Sequence, residues 1–424
     1  MIIIGITGSK GKTSVAYLLY KYLKLLNNLQ LLNKNIVIYS SLNYEVAIPN
    51  NERLKEIIAE ESKKNIEYLI LEINEEYIDK IDSSLFDLKV LTNVSVITDK
   101  EDYKEYLNNL LSFFKNDDKS INILCYSPEI EKSEFITFIN QLPNKIVYGS
   151  SYETNKYGID LSIFSSLICD NNHDYDNHNY DNHNYKPIDN INGIKFYIKH
   201  GKELKNTLYI ESNLLFDYSA YNINCLFNII NTLKLYKEDI FINLLKDINI
   251  PGRCEVKKVN NRIIIITLTL IPILEYLYQY RKNNEINEII TVFGSIGIGH
   301  NSWLDEYNSK KQEERMKKAR KYACSYASLY SSFIYLTSSD PASTSPLLIA
   351  NEMERYLIEN NFYDTFIEID RKKAIKNAIN NSKEGNVIVI SGRWSRGKFI
   401  INNKEYLFSV KEIIGDVINE LGWK

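Results

Sequence analysis

Nothing in this chain pairs its cysteines. The five, Cys125, Cys169, Cys225, Cys254 and Cys324, stand singly and none falls in a C-x-x-C pair. Neither a disulfide framework nor a cysteine zinc site is written here, and reduced thiols of a cytoplasmic protein are expected. Charge of one sign is lacking too: 51 basic against 54 acidic residues leave −3 over 424 residues, so no basic field argues for nucleic acid. Long apolar runs are missing. The most apolar stretch, IIIITLTLIPIL (Ile263 to Leu274), contains Pro272 and is shorter than the ~20 residues a membrane-spanning helix needs. It predicts a buried strand followed by a proline-led helix start. The N-terminal apolar run is a few residues long and leads straight into glycines, which reads against a signal peptide. The expectation is a soluble protein with no membrane span. Histidine is scarce at 5 residues, and three of them, His173, His178 and His183, crowd into one repeat.

What is present begins at once: MIIIGITGSKGKTSVAYLLYKYLKLL. Ile2 to Ile4 suit a buried strand, and Gly5 to Gly11 place three glycines in seven residues. Lys12, Thr13 and Ser14 then open a segment with apolar residues at Val15, Leu18, Leu19, Tyr22 and Leu23, the spacing of a helix. Strand, glycine turn, Lys-Thr and helix make the layout of a phosphate-binding loop. In such a loop backbone N–H groups and the helix N-terminus cradle the anion, the lysine reaches the outer phosphates, and the hydroxyl holds Mg²⁺. The common spacing G-x-x-x-x-G-K-[ST] would need glycine at position 6, where Ile6 stands. The bland alternative is an ordinary strand-to-helix turn.

Strand-like runs (IVIYS, YLILEI, KVLTNVSVI, INILCY, KIVYG) alternate with amphipathic stretches, which predicts an α/β fold with a mostly parallel sheet. Residues 170–185, DNNHDYDNHNYDNHNY, break the pattern. Evenly spaced histidines can chelate a metal, but a polar surface insertion without apolar content to pack is the plainer reading. Pro251-Gly252 punctuates the chain, and strands and helices resume after it: RIIIITLTL, EIITVFGS, SSFIYLTSS, NVIVISG. We therefore expect an ATPase-type domain over 1–252 and a smaller Rossmann-like α/β domain over 253–424. GSIGIG, Gly294 to Gly299, is spaced G-x-x-G-x-G rather than G-x-G-x-x-G and reads as a plain glycine turn.

Several segments in this order resemble one family, the ATP-dependent Mur ligases, most nearly the branch that adds the third amino acid to the peptidoglycan precursor. GITGSKGKTS is similar to that family's shorter phosphate loop. LILEIN resembles its Mg²⁺-binding strand, LTNVSVITDKEDY its T-N…D-H-x-D-Y stretch, and YSAYN its adenine-side asparagine helix. PGRCEV is similar to its interdomain arginine segment, TSSDPAS to its amino-acid loop, and DRKKAIKNAI…GNVIVISGR to its last helix and strand. The resemblance implies an amide ligase that activates a carboxylate as an acyl phosphate with ATP for attack by an amino acid or other amine. It implies nucleotide contacts at Gly8, Ser9, Lys10, Gly11, Lys12, Thr13, Ser14, Asn93, Asn222 and Arg253. Metal contacts would come from Thr13 and Glu72, catalytic roles from Lys12, Lys100 and Arg253, and amine-substrate contacts from Asp340, Pro341 and Arg393. The cofactors implied are ATP and Mg²⁺, and the partners are small molecules, an amine and a carboxylate acceptor.

Departures from the pattern qualify what it implies. The loop starts at Gly5, so the family's preceding domain for the UDP-sugar end is expected to be absent. Lys100 stands where the family has the histidine of D-H-x-D, and the family's carbamylated lysine falls near Leu110. Thr267 and Leu270 replace the Asp and His of D-Y-A-H-T-P, while Arg393 and Ser395 replace the lysine and histidine of G-K-G-H-E. A second metal site built the family way is expected to be lost. Ala342 follows Asp340-Pro341 where the family's diaminopimelate-gripping arginine would be, which disfavours that amino acid. The rival to a ligase is a nucleotide-binding protein of the same fold that serves as a partner or regulator.

Overall fold

A computed structural model describes residues 1–42, 48–94, 107–114, 119–126, 132–150, 166–169, 193–200, 206–297, 309–341, 344–392, 397–401 and 404–423. The chain divides into two units, Met1–Asn249 and Ile250–Lys424.

In the first unit, strand β1 (Ile2–Thr7) runs into helix α1 (Lys12–Asn28). Five of the six β1 residues are buried, and the strand pairs in parallel on both sides; a continuous apolar run suits a strand covered on both faces. Strands β2 (Ile36–Tyr39), β3 (Tyr68–Glu72), β4 (Leu88–Leu91), β5 (Ile121–Tyr126), β6 (Lys145–Ser150), β7 (Ser166–Cys169), β8 (Ile194–His200) and β9 (Asn206–Ser212) follow. They form one sheet in the order β2-β3-β1-β4-β5-β6-β7-β8-β9. It is parallel from β2 to β7, and β8 and β9 complete it antiparallel. On α1, Val15, Leu18, Leu19, Tyr22, Leu23 and Leu26 are buried, one apolar stripe at helical spacing. The Tyr22 hydroxyl donates to Leu235 O (3.0 Å) and accepts from Lys237 N (2.8 Å), pinning α1 to the chain after helix Asp217–Thr232. Helix α2 (Asn51–Lys63) is capped by Asn50, whose Oδ1 accepts from Arg53 N at 3.0 Å.

The register explains where a site must lie. Ile6 stands opposite Glu72 and Thr7 opposite Leu91, so the ends of β1, β3 and β4 share one edge. Ligands of open α/β sheets sit outside the carboxyl ends of the strands.

The second unit has β10 (Arg253–Val259), β11 (Arg262–Thr267), β12 (Ile289–Phe293), β13 (Phe333–Leu336), β14 (Thr365–Ile367) and β15 (Val387–Ser391), ordered β10-β11-β15-β12-β13-β14. β10 and β11 are an antiparallel hairpin; the others are parallel. Asn260 and Asn261 make the turn with positive φ at both, as a tight hairpin requires. A further pair, β16 (Gly397–Ile401) and β17 (Lys404–Phe408), forms its own two-stranded sheet.

The fold is the α/β class that the alternation predicts. Three details differ from the sequence reading. Gly5 belongs to β1, not to the loop: a Cβ there would lie 2.6 Å from the Phe86 ring, so this glycine serves close packing. The strand within KVLTNVSVI stops at Leu91. Gly294 and Gly297 lie against strand-end backbone, where a Cβ would fall 1.9 Å from Thr337 O and from Pro341 O, so both are close-approach glycines. No helix among the described residues is long and apolar enough to cross a membrane.

Candidate nucleotide site

The loop from Gly8 to Gly11 turns between β1 and α1 with φ +129 at Gly8 and +87 at Gly11. These are left-handed values, which cost glycine little and other residues much. Space is as restrictive as backbone angle. A Cβ on Gly8 would lie 2.6 Å from Thr92 Oγ1 and 2.7 Å from Asn93 O, and one on Gly11 2.4 Å from Asn222 Oδ1. The loop is also sewn to the end of β4. Ser9 N donates to Asn93 O (3.1 Å) and Ser9 Oγ to Asn93 Oδ1 (3.0 Å), while the single Thr92 hydroxyl proton is within reach of Lys10 O (2.5 Å) and Thr7 O (3.0 Å). Gly11 is the N-cap of α1, and no side chain caps it. A helix N-terminus without a side-chain cap, with the helix dipole behind it, suits an anion.

Two carboxylates face the start of α1. Thr13 Oγ1 donates to Glu72 Oε1 (2.8 Å), and Ser41 N donates to Glu72 Oε2 (2.9 Å). Thr13 is buried and its hydroxyl is 3.0 Å from Ser41 Oγ. Lys12 Nζ donates to Gly8 O and to Glu75 Oε2, each at 2.5 Å. Glu75 opens the 3-10 helix Glu75–Lys80 three residues past Glu72. Hydroxyl and carboxylate oxygens are the donors a small hard cation takes, and a glycine cradle with an ammonium suits a polyphosphate. The residues present thus fit a magnesium-bound nucleotide.

The structure brings together Gly8, Ser9, Lys10, Gly11, Lys12, Thr13, Glu72, Asn93 and Asn222. Ser14 is buried in the first turn of α1. Asn222 lies with its carboxamide oxygen against Gly11, a brace behind the loop. Sequence reasoning missed Ser41, Glu75 and Thr92. Thr92 adjoins the expected Asn93 within LTNVSVITDKEDY, whereas Glu75 falls one residue past LILEIN. Their partners, 82 positions away for Thr92 and 63 for Glu75, were visible only in the fold. Leu110, near which the resemblance would put a metal-ligating lysine, is buried in the apolar core with Phe113 and Leu124.

In the second unit, Arg253 begins β10 and its N donates to Ile250 O at 3.0 Å. Asp340 is buried at the end of the chain leaving β13, with its carbonyl accepting from Gly297 N (3.0 Å). Pro341 follows, its carbonyl accepting from Thr344 N (2.8 Å). Arg371 lies beside this loop: its guanidinium donates to Ser338 O (3.3 Å) and Ser391 O (2.7 Å). Burial pushes its pKa down to about 10. Lys100, Arg393 and the 170–185 repeat lie outside the described residues.

Residues 6–183 match the Mur ligase middle domain. The chain is 24% identical, over 99% of its length and 78% of the other's, to the UDP-N-acetylmuramoyl-L-alanyl-D-glutamate–2,6-diaminopimelate ligase of Caldanaerobacter subterraneus subsp. tengcongensis. Its fold is similar to that of MurF ligase from Thermotoga maritima in complex with ADP (TM-score 0.58, 15% identity, 92% of this chain and 76% of that one). It is also similar to folylpolyglutamate synthase from Thermotoga maritima (TM-score 0.56, 13% identity, 92% of this chain and 86% of that one). The first unit thus resembles a Mur ligase middle domain over residues 6–183, and the fold of the chain is similar to those of the two solved structures.

Proposed function

We propose that the chain is a Mur-type ligase, joining a carboxylate to an amino acid or other amine with cleavage of ATP to ADP and phosphate. The observation that carries this reading is the glycine cradle at the edge of β1, β3 and β4, with Lys12, Thr13 and Glu72 converging on it. A carboxylate oxygen attacks the γ-phosphorus and the bridge to the β-phosphate breaks, giving an acyl phosphate. The amine nitrogen then forms the C–N bond, the C–O bond to phosphate breaks, and the amine's proton leaves. Catalysis of this kind is chiefly positioning and charge stabilisation. The N-terminus of α1 binds the phosphates, Lys12 places an ammonium on the outer ones, and Asn93, Thr92 and Asn222 hold the loop in shape. Thr13 and Glu72 would hold Mg²⁺, which when bound neutralises charge on the moving phosphoryl group.

The second unit supplies the amine side on this reading. Asp340, Pro341 and Arg393 are assigned there by the resemblance, which gives Arg253 to the nucleotide phosphates instead, and the Asp340–Pro341 loop lies at the carboxyl edge of a parallel sheet, where substrate is expected. Ala342 after Pro341 favours a smaller or monocarboxylic amine over diaminopimelate. Lys100 is proposed to put its own positive charge where a second cation would otherwise sit, since an ammonium has donors only. The test is ADP and phosphate release with a panel of amino acids against a panel of carboxylates. The expected result is cleavage that needs one member of each panel, yields ADP rather than AMP, and is absent in Lys12→Ala. Tight Mg-ATP binding with no pair stimulating cleavage would overturn the ligase reading in favour of a nucleotide-binding partner protein.

A further inference from the structure

Lys12 already has an anion. Its ammonium, with three donors, gives one to Gly8 O and one to the Glu75 carboxylate, both at 2.5 Å. The pair is sheltered, with the Lys12 side chain 14% and that of Glu75 21% exposed. Glu75 stands where an outer phosphate oxygen would meet the lysine. Glu72 is engaged separately by Thr13 and the backbone of Ser41. The start of α1 therefore faces two carboxylates, of which one is paired with the Lys12 ammonium, and Lys10 of the loop is exposed. For a site that must receive a polyanion two fixed carboxylates are a hindrance, unless the ligand brings cations of its own.

From this geometry we infer that Glu75 is a specificity residue that restricts the loop to metal-bound nucleotide; the inference rests on the reading that the loop binds nucleotide phosphates. A phosphate oxygen can take the third donor of Lys12 beside Glu75 or displace Glu75 from it, and either way it meets the Glu75 carboxylate at close range. That carboxylate stays on the short Glu75–Lys80 helix, three residues past Glu72, beside the incoming phosphates. Metal-free polyphosphate then meets two fixed carboxylates across a part-buried gap, where like charges repel far more than in bulk water. A divalent cation carried with the nucleotide cancels that repulsion, and Glu72 with Thr13 is set to receive it. Lys12 is held in place throughout, first by Glu75 and then by phosphate, so discrimination costs no loss of order in the lysine. Glu75 thus keeps the site closed to free phosphates and metal-free nucleotide.

The experiment is calorimetric titration of wild type, Glu75→Gln and Glu75→Ala with three probes: Mg-ATP, ATP in excess chelator, and metal-free tripolyphosphate. The expected result is that Glu75→Gln binds the two metal-free probes about tenfold or more tightly than wild type, while Mg-ATP affinity changes by less than about threefold. Glu75→Ala should behave alike, which separates lost charge from a changed side-chain shape. If either variant leaves the ratio of metal-bound to metal-free affinity as in wild type, or weakens all three probes together, Glu75 is merely a prop for Lys12 and the inference fails. If wild type binds none of the probes, the phosphate-site reading itself fails, a separate outcome that takes the inference with it.

Discussion

Gly8 and Gly11 shape the loop as much as any charged residue does. Each has a left-handed φ and a neighbour within 2.6 Å of where a Cβ would stand, so alanine at either site meets strain and collision together. Gly11→Ala should weaken Mg-ATP binding at least tenfold by calorimetry. Trimming the collision partner in Gly11→Ala/Asn222→Ala should restore only part, because the backbone strain stays. Full restoration would mean that crowding alone makes glycine necessary. Lys100 tests the chemistry. If its charge replaces a cation, Lys100→Ala should abolish amine-dependent ATP cleavage and Lys100→His should not restore it, while the stoichiometry remains one Mg²⁺ per bound ATP. Activity regained with histidine would contradict that role. Residues of this kind were legible in part. GSKGKTS announces its glycines and its lysine because phosphate binding demands those types at that spacing. Glu75 and Thr92 announce nothing, since their meaning lies in partners brought near by the pairing of β1 with β3 and β4.

At the scale of elements, strands β1 to β6 were readable as apolar runs between amphipathic helices, because parallel strands buried on both faces cannot hide their composition. The β8–β9 hairpin was not. Its burial alternates, with Leu208, Ile210 and Ser212 of β9 buried and Tyr209 and Glu211 between them exposed, a weaker signal in a chain rich in tyrosine and lysine. His200 ends β8 with its ring 5.0 Å from that of Phe227, and desolvation holds its pKa below the ordinary 6.5. The unfolded chain then binds more protons than the folded one around and below that value, so stability falls as pH drops through about 6.5. His200→Phe should flatten the decline in urea midpoint between about pH 7 and 5.5; an unchanged slope would assign it to other groups. Arg371 acts between elements in the second unit. It ties the chain leaving β13, through Ser338 O, to the end of β15, through Ser391 O. Charged hydrogen bonds of this sort and the carbonyls they satisfy make Arg371→Met cost roughly 3 kcal/mol, readable as a lowered denaturant midpoint. A loss within experimental error would show that the two strand ends hold without it.

For the molecule as a whole, the first unit's cradle and the second unit's strand-end loop are each built at the carboxyl edge of a parallel sheet. The alternation of strand and helix pointed to that architecture. Insertion 170–185 joins β7 to β8, which pair antiparallel with Cys169 opposite Phe196. Its composition offers little to pack, and each doubling of a loop's length costs only about 0.6 kcal/mol. Deleting it should leave the melting temperature and Mg-ATP affinity nearly unchanged, and a large loss of either would give the repeat a structural or ligand-binding role. The account's central claim is that the loop after β1 binds the phosphates of ATP through Lys12, and calorimetry of Mg-ATP on wild type and Lys12→Ala tests it most directly. A charge-assisted contact of this kind supplies about 1.5–3 kcal/mol, so affinity should fall roughly ten- to hundredfold in the variant. Equal affinity in the two proteins would contradict the claim.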